Sequence, residues 1–284
     1  MIVVTGATGQ LGRLVVDGLL EQVPAEQVAV LVRSPEKAAD LAARGVTVRT
    51  ADYDEPDTLA GAFGAGDKVL LISGSEVGRR IPQHQAVIDA AAKAGVGLLG
   101  YTGVLGGDDA GFRLAEEHQA TEAAIRASGV PYVFLRNGWY TENYTGNLAR
   151  TLAHGAVVAS AGDGRVASAA RADYAAAAVA VLTGEGHENQ AYELSGDTAW
   201  GFADFAAEVA AQSGEPVVYR NVSAEEHLQV LLGAGLPQPL AEILVDVDAG
   251  IARGELSGTS GDLSRLIGRP TTPLAAGIAS ALDS

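Results

Sequence analysis

The sequence predicts an α/β fold with a doubly wound parallel sheet, and three observations support this prediction. Short apolar runs recur along the first half of the chain with helical stretches between them. The runs lack polar alternation, which is typical of strands that are buried on both faces. Glycines follow several of the helical stretches and precede the next run, as expected of the loops that join helices to strands. The alternation therefore predicts a parallel sheet covered by helices on both faces.

Six runs that are rich in leucine or β-branched residues are predicted strands. They are Ile2–Val4, Val28–Val32, Val46–Arg49, Val69–Ile72, Gly97–Tyr101 and Tyr132–Leu135. Between them, apolar residues three and four positions apart predict helices. The predicted helices are Leu11–Glu21, Pro35–Arg44, Asp57–Phe63, Pro82–Ala94 and Leu114–Ser128. The joining glycines are Gly45, Gly95 and Gly129.

The first predicted strand leads into a glycine-rich loop, Gly6-Ala7-Thr8-Gly9-Gln10-Leu11-Gly12. Its three glycines form a spacing variant of the dinucleotide fingerprint, which needs a tight turn, close backbone approach to phosphate and close helix–sheet packing. The helix that begins here offers N–H groups and a partial positive charge to a pyrophosphate. The loop therefore predicts a Rossmann-type sheet that binds a dinucleotide, and the alternative is an ordinary strand-to-helix turn. The candidate contacts are Gly6, Thr8, Gly9, Gln10, Leu11 and Gly12.

The residue after the second predicted strand indicates which dinucleotide is bound. In this type of sheet an acidic residue there hydrogen-bonds the ribose of NAD, whereas a basic residue accommodates the extra phosphate of NADP. Here the position holds Arg33. Because a guanidinium matches a phosphate in a bidentate fork, Arg33 favours NADPH over NADH. The alternative is a solvated arginine at a strand end.

Further polar residues follow the third, fourth and fifth predicted strands. Ligands of open α/β sheets bind outside the carboxyl ends of the strands. The candidate cofactor contacts at these ends are Asp52, Tyr53, Ser73, Gly74, Ser75 and Tyr101. Asp52 can reach an adenine amino group or cap the helix after Pro56, and the sequence leaves both readings open.

Residues 1–136 are expected to form the dinucleotide-binding part. Residues 137–284 are expected to form mostly a smaller substrate-binding part, which interleaves with the first in one unit because no segment resembles a linker. Aromatic and amide residues crowd Asn137–Asn147, and strands are expected near Tyr192–Leu194 and Val217–Tyr219. The most apolar window, Tyr174–Leu182, falls short of the roughly 20 residues that span a bilayer, so it predicts a buried helix.

Composition excludes several classes of protein. Acidic residues outnumber basic ones by 35 to 19, and the basic residues are scattered, so nucleic acid and membranes are poor candidate partners. The lack of cysteine excludes disulfides and thiolate chemistry. The five histidines show no paired ligand spacing, so no metal site is expected. No signal peptide is recognisable, which favours a cytoplasmic protein. We expect a monomer or a homodimer.

With these residues placed, the chain resembles the NmrA-like, atypical branch of the short-chain dehydrogenase/reductase superfamily. Within it, the chain is most similar to the bacterial NAD(P)H:quinone oxidoreductases of type 2, with triarylmethane dye reductases as near relatives. Five segments carry the resemblance. They are Thr5–Gly12, Leu31–Arg33, Ile72–Gly78, Arg136–Tyr144 and Arg171–Tyr174.

The resemblance implies a cytosolic enzyme that passes a hydride from NADPH to a quinone without flavin. It also implies that Asn137–Glu142 lines the nicotinamide end, which makes Asn137, Gly138 and Trp139 candidate cofactor contacts together with Arg171. Physical chemistry agrees in part, because Asn137 can hydrogen-bond a carboxamide, while Trp139 and Tyr140 offer flat surface to a planar quinone. The candidate substrate residues are Trp139, Tyr140, Asn143 and Tyr144. The alternative places these aromatic rings in the core.

The chain departs from its superfamily in the residues of catalysis. Ordinary short-chain dehydrogenases use a Tyr-x-x-x-Lys pair to exchange a proton with the substrate oxygen. Here the lysine position holds His118 and the tyrosine position holds Leu114, while Thr102 stands near the place of the superfamily serine. A quinone yields a stabilised hydroquinonate that needs no strong acid. The missing Tyr–Lys pair therefore favours a quinone or cationic dye as substrate. Tyr140 and His118 are the candidate catalytic residues, and His118 is the candidate proton donor or orienting group.

Two other functions are compatible with the sequence. A redox sensor of the same fold would bind NADP(H) without turnover, and the missing Tyr–Lys pair supports it. An atypical epimerase or dehydratase would retain its cofactor, but it needs acid–base pairs that the sequence does not show.

Overall fold

The computed structural model describes residues 1–283, and its centre is a seven-stranded sheet. In chain order the strands are β1 (Ile2–Thr5), β2 (Val28–Val32), β3 (Thr47–Thr50), β4 (Lys68–Leu71), β5 (Leu98–Val104), β6 (Tyr132–Asn137), β7 (Ala156–Ala159), β8 (Arg165–Val166), β9 (Gln190–Leu194), β10 (Trp200–Gly201) and β11 (Val218–Asn221). The central sheet has the order β3-β2-β1-β4-β5-β6-β9, and its pairs from β3 to β6 are parallel. The chain reverses its direction across the sheet between β1 and β4, which is the switch point where such sheets bind nucleotides.

The helices join these strands. They are α1 (Gln10–Leu20), α2 (Ala39–Ala43), α3 (Arg80–Ala94), α4 (Arg113–Ser128), α5 (Glu142–Thr145), α6 (Leu148–His154), α7 (Arg171–Thr183), α8 (Phe202–Ser213), α9 (Ala224–Gly233), α10 (Gln238–Ala252), α11 (Asp262–Ile267) and α12 (Leu274–Leu282). Helix α7 contains the apolar window of the sequence, and most of its residues are buried, as predicted. Across residues 1–283, no helix combines the length and the apolar character that crossing a membrane requires.

The doubly wound sheet is confirmed, and its strands follow the buried apolar runs closely. Strand β2 has the predicted bounds, and every one of its residues is buried. The three joining glycines, Gly45, Gly95 and Gly129, all have positive φ, a conformation that glycine adopts without steric cost. Their position after α2, α3 and α4 ends each helix and turns the chain toward the next strand.

Three predicted elements differ in the structure. The helix predicted at Asp57–Phe63 is a short 3₁₀ turn, Pro56–Leu59, because Gly61 follows with a positive φ. The helix predicted at Pro35–Arg44 is split into a 3₁₀ turn, Pro35–Ala38, and the short α2. A seventh strand joins the sheet, since β9 lies beside β6 rather than in the substrate-binding part.

The chain divides into two compact units. The first comprises residues 1–107, 117–137 and 172–193 and contains the central sheet apart from Leu194. The second comprises residues 108–116, 138–171 and 194–284. Within it, β7 pairs in parallel with β11, and β8 pairs antiparallel with β10. From the sequence, residues 137–284 were expected to interleave with a dinucleotide-binding part that ends at residue 136. Helix α7 apart from Arg171, and β9 apart from Leu194, lie in the first unit.

Candidate active site

The glycine loop forms the tight turn between β1 and α1. The Gly9 amide donates to the Gly6 carbonyl at 3.0 Å, and Gly6 has a φ of 59°. A Cβ on Gly12 would lie 2.3 Å from the Gly6 carbonyl oxygen, so only glycine fits there. Gly9 has no side chain to cap α1, and the first turn contains no acidic residue, so its N–H groups suit an anionic ligand. The loop therefore fits a dinucleotide pyrophosphate.

Charged residues and one tyrosine follow β2 and β3. Arg33 has a largely exposed side chain, and its Nη1 lies 3.3 Å from Glu76 Oε1. Burial raises the pKa of the Tyr53 hydroxyl to about 12, although its hydrogen bond with Thr5 opposes this shift. The Asp52 carboxylate accepts a hydrogen bond from the Asp54 amide at 3.0 Å. Asp52 thus stabilises its own turn, a role that was not among the two expected.

Three buried side chains hold the loop after β4. Thr102 Oγ1 accepts from the Ser73 amide at 2.9 Å, and His84 Nε2 accepts from the Gly74 amide at 3.1 Å. Arg80 Nε donates to the Gly74 carbonyl at 2.6 Å. Both backbone groups of Gly74 are therefore held by buried side chains. The hydroxyl of Thr102, which stands near the place of the superfamily serine, positions the same loop through Ser73.

The hydrogen bond that His84 Nε2 accepts from the Gly74 amide determines the tautomer of this histidine. Nδ1 must carry the proton and donates it to Thr121 Oγ1, which lies 2.9 Å away. Burial, with the nearby Arg80 charge, lowers the pKa of His84 to about 4. A protonated His84 would lose its bond from Gly74, so the loop needs the neutral imidazole.

His118 lies in the same buried region and contacts Tyr101. Its Nδ1 lies 2.7 Å from the Tyr101 hydroxyl, and Tyr101 is completely buried. Burial lowers the pKa of His118 to about 3, and the charge of Arg80 contributes. The imidazolium is therefore not populated near neutral pH, which argues against His118 as a cationic proton donor. Tyr101 was a candidate cofactor contact, but its burial in the core makes it a partner of His118 instead.

The two buried histidines make stability depend on pH in a specific direction. Their pKa values in the folded state lie below the ordinary 6.5, so the unfolded chain binds more protons as the pH falls below 6.5. Their contribution is complete above pH 6.5 and is lost toward pH 4, by roughly 1.4 kcal/mol per pH unit for each histidine. Urea unfolding of the protein at pH 7.5, 6.5 and 5.5 should show this loss.

A matched pair of variants isolates the histidine effect. His118→Gln keeps an acceptor for Tyr101 but cannot titrate, so we expect a smaller loss of unfolding free energy between pH 7.5 and 5.5. His154→Gln changes an exposed histidine and should leave the loss as in the parent. An equal pH dependence in the parent and His118→Gln would contradict the prediction.

A partly buried ion-pair network joins β6 to α4, four residues beyond His118. Arg136 makes a bidentate contact with Glu122, through Nε at 2.9 Å and Nη2 at 2.7 Å. Arg136 also donates to Glu193 at 2.7 Å, and Arg126 contacts Glu122 from the helix surface. The hydrogen bond with Glu122 raises the pKa of Arg136 above its usual range, and this effect outweighs the opposing effect of burial. This network is structural and holds β6 against α4.

The segment after β6 opens the second unit with Trp139 and Tyr140. Both side chains are half-buried, and Tyr140 forms a parallel bridge with Ala169. The Arg171 guanidinium lies over the Tyr140 ring at 4.7 Å from its centroid. The Glu142 carboxylate accepts from the Arg171 amide at 2.9 Å, which fixes the start of α7. The Tyr140 ring therefore has the positive charge of Arg171 on one of its faces.

Tyr144, a candidate substrate residue whose alternative place was the core, packs in a cluster of aromatic rings. Its ring packs against Trp200, Phe202 and Phe205, with centroids 5.0, 5.5 and 6.0 Å away. Burial raises the pKa of its hydroxyl well above the usual value. Tyr144 is therefore a half-buried member of an aromatic cluster in the second unit, whereas Asn143 beside it is exposed.

Sequence reasoning missed the side chains that hold the Gly74 loop. Arg80 and His84 are buried on α3, where the other buried residues are Gln83, Val87, Ile88 and Ala91. Polar residues on the apolar face of a helix were the available signal. Asn137 ends the first unit, where it is buried and its carbonyl accepts from the Leu105 amide at 3.0 Å. Among residues 1–283, no acidic or histidine cluster could hold a metal ion.

Comparisons with known proteins agree with this geometry. Quinone oxidoreductase 2 of Escherichia coli strain K12 is 50% identical over 275 residues, which cover 97% of this chain and 96% of that protein. The crystal structure of an E. coli NADPH-dependent quinone oxidoreductase in complex with NADPH is 49% identical, with a TM-score of 0.97 and complete coverage of both chains. Triphenylmethane reductase from Citrobacter sp. is 44% identical, with a TM-score of 0.95 and coverage of 100% of this chain and 99% of that one.

The family assignment rests on both the site and the whole chain. Residues 6–185 match the model of the NAD(P)H-binding family. The matched range begins at the first glycine of the loop and includes Arg33, the Gly74 loop and the whole of α7. The full-length relatives extend the likeness to the second unit. The chain therefore belongs to the NAD(P)H-binding family, in its NmrA-like branch.

Proposed function

We propose that this protein is an NADPH-dependent quinone oxidoreductase that works without flavin or metal. The observation that carries the proposal is the likeness to quinone oxidoreductase 2, which reaches 50% identity over almost the whole of both chains. The glycine loop supports the cofactor half of the proposal, because only glycine fits at position 12. The aromatic segment after Asn137 supports the acceptor half.

We assign the cofactor contacts as follows. The backbone of the glycine loop binds the pyrophosphate, and Arg33 contacts the 2′-phosphate that distinguishes NADPH from NADH. Tyr53 and the Gly74 loop line the rest of the dinucleotide site, and Asn137 binds the carboxamide. The remaining contacts come from Thr8, Gln10, Leu11, Asp52, Ser73, Ser75, Gly138, Trp139 and Arg171. When bound, NADPH supplies the hydride.

The acceptor packs against Trp139 and Tyr140, with Asn143 at the edge of this surface. A planar quinone gains apolar contact with both rings. The Arg171 guanidinium lies 4.7 Å from the centroid of the Tyr140 ring, so a quinone on this surface has a positive charge nearby that stabilises the negative charge of its reduced form. The proton that completes reduction is taken from water, because His118 is neutral and its Nδ1 is engaged by Tyr101. His118 is then an orienting residue for Tyr101.

The proposal is tested by following NADPH absorbance with three acceptors. Benzoquinone should be reduced fastest, a triarylmethane dye should also be reduced, and a simple ketone should not, since an alkoxide needs an acid that the site lacks. Added flavin should leave the rate with benzoquinone unchanged. A chelator should also leave it unchanged.

The same assay separates the main alternative, a redox sensor that binds NADP(H) without turnover. Tight NADPH binding with no oxidation by any acceptor would favour the sensor and contradict the proposed activity. Rapid reduction of the ketone would contradict the quinone preference. A rate that appears only with added flavin would refute the direct hydride transfer.

A further inference from the structure

A second arginine shares the anionic partner of Arg33. Glu76 presents one oxygen to each of two guanidiniums: Oε1 lies 3.3 Å from Arg33 Nη1, and Oε2 lies 3.8 Å from Arg79 Nη1. Arg79 is also held by Asp54, with Nη2 2.9 Å from Oδ1. We call Arg33 and Arg79 the bridged arginine pair. The Glu76 carboxylate thus lies between the two guanidiniums.

The bridged arginine pair lies where the adenosine ribose of a dinucleotide is expected. Arg33 follows β2, Asp54 follows β3, and Glu76 and Arg79 follow β4. All four therefore lie in loops beyond the carboxyl ends of parallel strands on either side of β1. The side chains of Arg33 and Arg79 are 61% and 60% exposed. Both guanidiniums are therefore open to a ligand that arrives from solvent.

A phosphate monoester suits this position better than the carboxylate that occupies it. It carries a charge of about −1.5 to −2 at neutral pH and offers three acceptor oxygens. Guanidiniums bind phosphate oxygens in bidentate pairs. The ion pairs of Glu76 are largely exposed and weak, and its hydrogen bond from Gln83 Nε2 is long at 3.4 Å, so their loss costs little when a phosphate replaces them.

We propose that Arg79 is a second ligand of the 2′-phosphate of NADPH, and that Glu76 is the internal anion which this phosphate displaces. The inference rests on the proposed NADPH-dependent function, whose cofactor preference was assigned to Arg33 alone. NADH has no 2′-phosphate and leaves the Glu76 contacts in place. Glu76 therefore lowers the affinity for NADPH, while Arg79 raises it.

The test is the dissociation constants of NADPH and NADH, measured by titration calorimetry without a quinone. Arg79→Ala should weaken NADPH binding about tenfold, since it removes one charge-assisted contact, and should change NADH binding less than twofold. Arg79→Lys should fall between, because it keeps the charge but not the fork. Glu76→Gln should tighten NADPH binding several-fold, as the competing charge is removed, and leave NADH unchanged.

The control variant is Arg253→Ala. It removes an equal charge from another exposed ion pair, with Glu255, and should leave both constants unchanged. Competition by adenosine 2′,5′-bisphosphate against 5′-AMP should repeat the pattern of NADPH against NADH.

Two results would overturn the inference and leave the proposed function standing. The first is a parent preference for NADPH that Arg79→Ala retains in full. The second is weaker NADPH binding in Glu76→Gln. A parent protein that binds neither nucleotide, or that prefers NADH, would instead refute the cofactor half of the proposed function and the inference with it.

Discussion

Gly12→Ala is expected to weaken cofactor binding strongly and to lower the stability of the protein. The new Cβ would lie 2.3 Å from the Gly6 carbonyl oxygen and 2.7 Å from the Ala7 Cα. Both atoms belong to the backbone of the glycine loop, so they cannot move without opening the tight turn. The loss of two hydrogen bonds to a charged pyrophosphate, at about 1.5 kcal/mol each, weakens NADPH binding about a hundredfold.

Overpacking adds a stability cost of about 1–3 kcal/mol. Calorimetric titration with NADPH and urea unfolding of the cofactor-free protein measure the two effects separately. Gly233→Ala is the matched control, because a Cβ there meets no atom within 4 Å and Gly233 ends helix α9. It should bind NADPH as the parent does. Normal NADPH affinity in Gly12→Ala would show that the loop does not bind the pyrophosphate.

The parts of the fold that sequence predicted are those fixed by local patterns. Strand β2 is a run of five apolar residues, all buried, and burial on both faces of a parallel sheet imposes that composition. Strand β9 was expected elsewhere because only Tyr192 and Leu194 are buried among its residues. Nothing in such a short run indicates that it pairs with β6, which lies more than 50 residues earlier.

The candidate site divides in the same way. The glycine loop and Arg33 are adjacent to strands in the sequence, so their placement follows from the elements themselves. The contacts of His84 with Gly74 and Thr121 join residues 10 and 37 positions apart. They depend on how α3 and α4 pack on the sheet. Tyr144 shows the limit of composition, because an aromatic ring suits a substrate wall and a core equally well.

Arg136→Met is expected to destabilise the protein by about 3–5 kcal/mol, the usual cost of breaking a buried ion pair. Glu122 is 1% exposed and receives two hydrogen bonds from Arg136. Methionine keeps much of the arginine's length but leaves this buried carboxylate with Arg126 alone. Urea unfolding at pH 7.5 measures this change in the free energy of unfolding, and the midpoint temperature of thermal unfolding should fall by roughly 10 °C.

A double variant distinguishes an uncompensated charge from a packing defect. If the unpaired carboxylate causes the loss, Arg136→Met combined with Glu122→Gln should recover a large part of it, because the buried charge is gone. If the loss came from poor packing of methionine, the double variant would be no more stable than the single one. Arg126→Met is the control for the helix surface. Its partly exposed i,i+4 pair with Glu122 contributes about 1 kcal/mol or less. The free energy of unfolding of this variant should therefore lie close to that of the parent. A loss as large as that of Arg136→Met would show that Arg136 is not the principal partner of Glu122.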